Sequence, residues 1–72
     1  MDILEIEQKE TLSREEAAAR MHAIADMLAR NNEIELERAG TRIVVKVPDE
    51  VHFKLEVEVE SDERELEIEL KW

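Results

Sequence analysis

Glutamates at alternate positions are the residues of this chain that are best suited to chemistry. Because side chains alternate between the two faces of a strand, their spacing predicts one acidic face shared by two strands. Carboxylate oxygens suit hard cations, so this face is a candidate site for weak binding of Ca²⁺, Mg²⁺ or a cationic ligand. The competing interpretation is a solvated surface that favours solubility. The candidate ligands are Glu56, Glu58, Glu65, Glu67 and Glu69.

The other reactive residue types do not form a catalytic set. His22 and His52 are the only histidines, cysteine is absent, and no two residues have metal-ligand spacing. The single glycine, Gly40, excludes a glycine-rich phosphate loop. Of the four hydroxyl side chains, Ser13 suits a helix cap and the other three lie at predicted turns. We therefore expect no enzyme activity, no metal centre and no cofactor.

The composition narrows the class of protein further. Seventy-two residues make a single domain, residues 1–72, and 20 acidic residues against 10 basic ones give a formal net charge of −10. That charge argues against binding to nucleic acid and to anionic membranes. No apolar run is long enough to span a bilayer, and the acidic start of the chain is unlike a signal peptide. The expected location is the cytoplasm.

One helix and five strands are predicted to position these residues. Alternating residues near the start predict a strand over about residues 2–9. Ser13, followed three residues later by Glu16, forms a capping box that predicts a helix running to Arg30, with Asn31 and Asn32 at its end. Alternation then predicts four more strands, with turns at Ala39–Gly40, at residues 48–50 and at residues 61–64.

The expected fold is α+β: a five-stranded, mostly antiparallel sheet in the order β-α-β-β-β-β, with the helix packed on one face. A turn at Ala39–Gly40 places Leu36 opposite Ile43. A turn at residues 48–50 would pair the next two strands and extend the sheet. For the last hairpin, a tip at residues 62 and 63 places Glu58 opposite Glu67. A shift by two places Glu58 opposite Glu65, so carboxylates face each other in both registers.

Several segments together resemble the small amphi-Trp domain family. They are the helix opening at residues 12–18 with residues 24–28, the turn at residues 47–49, and the alternating acidic end at residues 65–72. The resemblance covers nearly the whole chain and implies a prokaryotic domain whose function is uncharacterised, so it transfers no site residues. Alternating glutamate is also typical of designed sheets, although the irregular Met21, His22, Val44 and His52 disfavour that origin.

The apolar residues predict an assembly. Sixteen apolar side chains share the inward face of the expected sheet, whereas one helix is only about 10–12 Å across. Either the sheet coils around the helix, or a second copy covers the remaining surface. Trp72 would close over the core opposite Phe53, or act as an exposed anchor for a partner. We expect an acidic interaction domain that forms a homodimer, with Met21, Met27, Leu28 and Trp72 as candidate contact residues.

Overall fold

The computed structural model describes residues 4–72, in which one helix precedes four strands. The strands form two separate two-stranded antiparallel sheets. The α+β class is as predicted, but the single five-stranded sheet is wrong. The elements are α1 (Arg14–Asn31), β1 (Glu33–Arg38), β2 (Thr41–Lys46), β3 (His52–Val59) and β4 (Arg64–Lys71).

Helix α1 begins and ends at the predicted caps. Ser13 has extended backbone angles, and its Oγ accepts a hydrogen bond of 3.1 Å from the backbone N–H of Glu16. The Ser13 hydroxyl also donates to the Glu16 carboxylate at 3.2 Å. Asn32 closes the helix in the left-handed conformation, with φ 55° and ψ 33°. Both ends of the helix are therefore specified by local side-chain chemistry.

The first hairpin, β1–β2, has the predicted register. Leu36 lies opposite Ile43, and Ile34 lies opposite Val45. Ala39 and Gly40 form the two-residue turn with φ angles of 51° and 78°. Two consecutive positive φ angles are typical of a type I′ turn, whose twist matches that of a hairpin. The turn and the alternation therefore specify the same pairing.

The predicted pairing of β2 with β3 does not form. Strand β2 ends at Lys46, and the next amide, that of Val47, donates to the carbonyl of Asn32 at 2.9 Å. Pro48 follows and has no backbone N–H to offer a neighbouring strand. Val47 is thus bound to the residue that ends α1, just before the predicted turn at residues 48–50. The second hairpin begins at His52 and does not pair with β2.

The predicted first strand is also absent from the described residues. Residues 4–9 pair with no strand, and the remainder of the predicted segment lies outside the described residues. Glu10 instead binds Arg20 of α1 through two parallel hydrogen bonds of 3.0 and 2.7 Å. This bidentate ion pair attaches the segment to the helix, so that it does not extend a sheet edge.

The second hairpin, β3–β4, is shifted by two residues from the first predicted register. Glu60 N–H donates to the carbonyl of Glu63 at 2.8 Å, so the tip is formed by residues 61 and 62. Phe53 therefore lies opposite Leu70, not opposite Trp72 as predicted. The first register would also have placed Lys54 opposite Lys71, whereas the observed one places it opposite Glu69. The shift thus replaces a repulsive pair with an attractive one.

No residue of the described chain is buried. Within that part, the backbone of α1 closely approaches that of β1 alone, and the second hairpin meets α1 only at the cavity that Leu28 and Leu70 line. The radius of gyration is 14.2 Å, compared with about 11 Å expected for a compact chain of this length. The apolar surfaces of the elements therefore remain largely open.

Candidate functional site

The largest candidate site is one face of the β3–β4 hairpin, which we call the apolar hairpin face. Its cross-strand pairs are Phe53–Leu70, Leu55–Ile68 and Val57–Leu66. Leu70 is half-buried, and the other large side chains of the face are between 51% and 66% exposed. The face consists of Phe53, Leu55, Val57, Val59, Leu66, Ile68 and Leu70.

Strict alternation of apolar and charged residues builds this face. Each strand has eight residues, and its odd-numbered or even-numbered positions point to one side. Apolar residues fall on odd positions in β3 and on even positions in β4, and the antiparallel register brings both sets to the same side. The result is a hairpin that is apolar on one side and charged on the other.

Trp72 extends the apolar hairpin face at the base of the hairpin. It follows β4 directly, and its position in the alternation places it on the same side as Leu70. The residue is 54% exposed. The expected closure of Trp72 over a core is therefore not seen in the single chain, and Leu70, not Trp72, lies opposite Phe53.

The three candidate contact residues of α1 have different surroundings. Met21 is exposed. Met27 is half-buried, and its sulfur accepts a hydrogen bond of 3.2 Å from the backbone N–H of Glu35 in β1. Leu28 lines an open cavity of about 280 Å³ together with Val51 and Leu70. Met27 thus helps to hold α1 on the first hairpin, whereas Leu28 lies beside the base of the second.

The opposite side of the second hairpin is the acidic face. Glu56 lies opposite Glu67, and Glu58 lies opposite Glu65. A side-chain hydrogen bond with Glu60, partial desolvation and the charge of Glu65 raise the pKa of Glu58 above its ordinary value. The five glutamates of the acidic face are therefore not equivalent. The repulsion between them is strongest in the half of the hairpin that is nearer the tip.

Two lysines, Lys54 and Lys71, also lie on the acidic face, beside Glu56 and Glu69. Glu69 lies opposite Lys54, and Lys54 Nζ is 3.2 Å from a carboxylate oxygen of Glu56. Lys71 Nζ is 3.7 Å from Glu69. At the tip, Glu60 and Glu63 join Glu58 and Glu65 around a small depression. The structure therefore brings together two of the predicted carboxylates with Glu60 and Glu63, which were not among the candidate ligands. A predicted tip at residues 61 and 62 would have placed these two opposite each other.

Two negative findings concern the described residues alone. Residues 4–72 contain no group of three or more His, Cys, Asp or Glu side chains arranged to hold a metal ion. In the same range, α1 is not apolar enough over its length to cross a membrane.

The family of the chain follows from its sequence as a whole. The sequence model of the Amphi-Trp domain matches residues 2–72. The chain belongs to the Amphi-Trp domain family. Neither the comparison with curated proteins nor the comparison with solved structures found a match. Membership confirms the resemblance noted from the sequence and brings with it no assigned activity.

In this Amphi-Trp domain the amphipathic strands are β3 and β4, and the tryptophan is the residue that follows them. The sequence analysis assigned the apolar residues of these strands to an inward, covered face. It did not identify them as a site, although the predicted excess of apolar surface over helix surface was the signal that could have done so. The Amphi-Trp domain thus presents two chemically opposite surfaces on one hairpin.

Proposed function

We propose that this Amphi-Trp domain is a non-catalytic protein-interaction domain that self-associates through the apolar hairpin face. One observation carries the proposal: the large side chains of that face, together with Trp72, lie on one side of a hairpin and, apart from the half-buried Leu70, are exposed in the described chain. Isolated two-stranded hairpins are at best marginally stable in water, so this face needs a covering surface.

The size of the apolar hairpin face matches that of a protein interface. At their exposed fractions, the large side chains and Trp72 present on the order of 700 Å² of accessible surface, close to the roughly 800 Å² that each partner contributes to a standard interface. Monomeric soluble proteins rarely leave apolar patches of more than a few hundred Å² exposed. Two aromatic residues near the base of the face, Phe53 and Trp72, also suit an interface anchor.

The charge distribution supports a protein partner over other classes. The formal charge of −10 opposes association with nucleic acid and with anionic lipid. It opposes contact through the apolar hairpin face less strongly, because the glutamates of β3 and β4 point to the other side. The proposal assigns no catalytic step to the chain.

Sedimentation equilibrium at about 100 μM in physiological salt tests the proposal. We expect a species of twice the chain mass. Leu55→Ser removes a central apolar side chain and should yield a monomer, whereas Lys54→Ser changes the neighbouring residue on the opposite face and should leave the dimer intact. A monomeric wild-type chain, or a Leu55→Ser variant that associates as well as wild type, would overturn the proposal.

A second candidate function is weak binding of a divalent or small organic cation on the acidic face. It is favoured by the two pairs of opposed glutamates and by the raised pKa of Glu58, since a cation would relieve their repulsion. The described carboxylates do not form a preorganised metal site, so binding would be weak. Saturable amide shifts confined to residues 56–69 during a Ca²⁺ titration would support this function, and diffuse shifts resembling those in NaCl would rule it out.

A further inference from the structure

We infer that the partner on the apolar hairpin face is a second copy of this chain, packed face to face about a two-fold axis, and that folding and association occur in one step. The inference rests on the proposed function and makes it more specific. Two hairpin faces supply together the hydrophobic core that one chain does not contain. The domain would then be an obligate homodimer.

The accessible surface of the single chain carries the argument for coupling. The chain exposes 6847 Å², whereas a folded monomer of this mass exposes about 4,600 Å². The excess is about 2,200 Å² per chain, or about 4,400 Å² for two chains, and obligate homodimer interfaces bury about 2,000–5,000 Å² in total. Because none of residues 4–72 is buried, the single chain also lacks much of the hydrophobic term that offsets the loss of conformational entropy on folding.

The surface to be covered is wider than the apolar hairpin face alone. That face and Trp72 account for roughly a third of the excess area. Met21 and Ile24 of α1 are also exposed large apolar residues, as is Val45 of the first hairpin. These residues would therefore join the contact between the two copies around the paired hairpin faces.

The placement of charge selects face-to-face packing over other arrangements of two copies. Two packed sheets lie about 10 Å apart, and their outer faces then point in opposite directions. The two acidic faces would be separated by both sheets, a distance greater than the Debye length of about 8 Å in physiological salt. Packing through the acidic faces would instead bring opposed glutamates of both copies together.

The competing arrangement is a monomer in which α1 folds onto the apolar hairpin face of its own chain. It would also cover the face, but it would make folding independent of concentration. The two arrangements are therefore separated by one variable, the protein concentration.

The experiment is urea unfolding of the full chain at 1 and 100 μM, followed by helix circular dichroism and by Trp72 fluorescence. For coupled folding we expect the midpoint to rise by on the order of 1–2 M urea over this hundredfold range. Sedimentation at both concentrations accompanies it. A constant midpoint with a dimer overturns coupled folding and leaves the proposed function standing. A constant midpoint with a monomer at 100 μM overturns both.

Cross-linking tests the face-to-face geometry separately. The chain has no cysteine, so a single introduced thiol reports on one position. A short bismaleimide is suitable because packed sheets are about 10 Å apart, farther than a disulfide can bridge. We expect Leu55→Cys, at the centre of the face, to yield a covalent dimer and Lys54→Cys, on the opposite side, to yield little. Equal or greater linking through Lys54→Cys would overturn face-to-face packing.

Discussion

Ser13 is the residue on which the start of α1 depends. Its Oγ satisfies the amide of Glu16, which has no partner within the helix. We expect Ser13→Ala to lower the free energy of unfolding by about 0.5–2 kcal/mol in urea titrations. Thr11→Ala removes a hydroxyl just before the helix and is the matched control, with little expected loss. Equal losses in the two variants would contradict the assignment of Ser13 as the cap.

Glu58 is the residue whose ionisation disfavours the folded state. Its hydrogen bond with Glu60 and the charge of Glu65 raise its pKa, so the folded chain holds the proton at pH values where the unfolded chain has lost it. The stability from this carboxyl is therefore complete below the ordinary glutamate pKa of about 4.3 and is lost as the pH rises through the higher folded-state pKa. Glu56, Glu63 and Glu67 surround the same position, and no described lysine lies directly opposite it.

We expect wild type to lose stability relative to Glu58→Gln as the pH rises from about 4 to about 7, measured by urea unfolding at each pH. The contribution of Glu10 to stability should depend on pH in the opposite direction. Its hydrogen bonds and ion pair with Arg20 lower its pKa, so its contribution is present above the ordinary value and is lost as the pH falls through the lower one. A parallel pH dependence of Glu58→Gln and wild type would contradict the raised pKa of Glu58.

The cap and the contacts of Glu58 differ in how far the sequence predicts them. Ser13 and Glu16 are three residues apart, and their hydrogen bonds are local, so the residue types are sufficient. The neighbours of Glu58 depend on which residues form the tip of the hairpin. Either tip keeps apolar residues on one face, so the alternation alone did not select between the two registers.

At the scale of elements, the turn of the first hairpin is strained by one side chain. Ala39 has a φ of 51°, a conformation that alanine adopts at a cost of about 1–2 kcal/mol and that asparagine tolerates better. We expect Ala39→Asn to stabilise the domain by up to about 1 kcal/mol in urea unfolding. Gly40→Ala should have the opposite effect through the backbone alone, because no atom lies within 4 Å of an added Cβ. Destabilisation by Ala39→Asn would count against the type I′ turn.

The second hairpin is weakened by its opposed glutamates. We expect Glu67→Lys, which would face Glu56, to raise the free energy of unfolding by about 0.2–1 kcal/mol. Glu69→Lys makes the same chemical change opposite Lys54 and should lower it by a similar amount. Both values come from urea titrations at low salt. If both substitutions shift stability in the same direction, net charge governs this face and the cross-strand register does not.

The limits of the sequence-based prediction are clearest at the junction of the hairpins. The alternation of β1 with β2 and the Ala39–Gly40 turn were enough to predict the first hairpin. The same alternation is satisfied whether β2 and β3 pair or not, since each strand keeps its apolar side in both cases. The hydrogen bond from Val47 to Asn32 continues the β1–β2 register by one position, whereas the path of residues 48–51, which the alternation does not specify, determines whether β3 reaches β2.

At the scale of the whole molecule, charge should govern the strength of association. Two copies bring together formal charges of −10 each, while the contact surface itself is apolar. Raising NaCl from about 10 to about 150 mM shortens the Debye length from about 30 to about 8 Å. We expect the dissociation constant of the homodimer to fall by about three- to tenfold over that range, measured by sedimentation. Weaker association at higher salt would indicate that opposite charges hold the copies together.

The sequence did indicate that apolar surface would exceed what one helix covers. It did not indicate how much would remain open. Alternation identifies which side chains share a face, but what packs on that face depends on the path of the chain between elements. Here residues 4–13 form no strand, and residues 47–51 leave the two hairpins in separate sheets.

The Val47–Asn32 hydrogen bond has a consequence for the order of events in time. It closes the open end of the β1–β2 hairpin, whose pairing extends outward from the Ala39–Gly40 turn, and a hairpin of this kind forms within microseconds, on the order of 1–10 μs. The second hairpin follows this closure along the sequence, and its two strands pair with each other. In hydrogen exchange, the Val47 amide would therefore report on local openings of the first hairpin, while exchange that requires global unfolding would slow as the protein concentration rises.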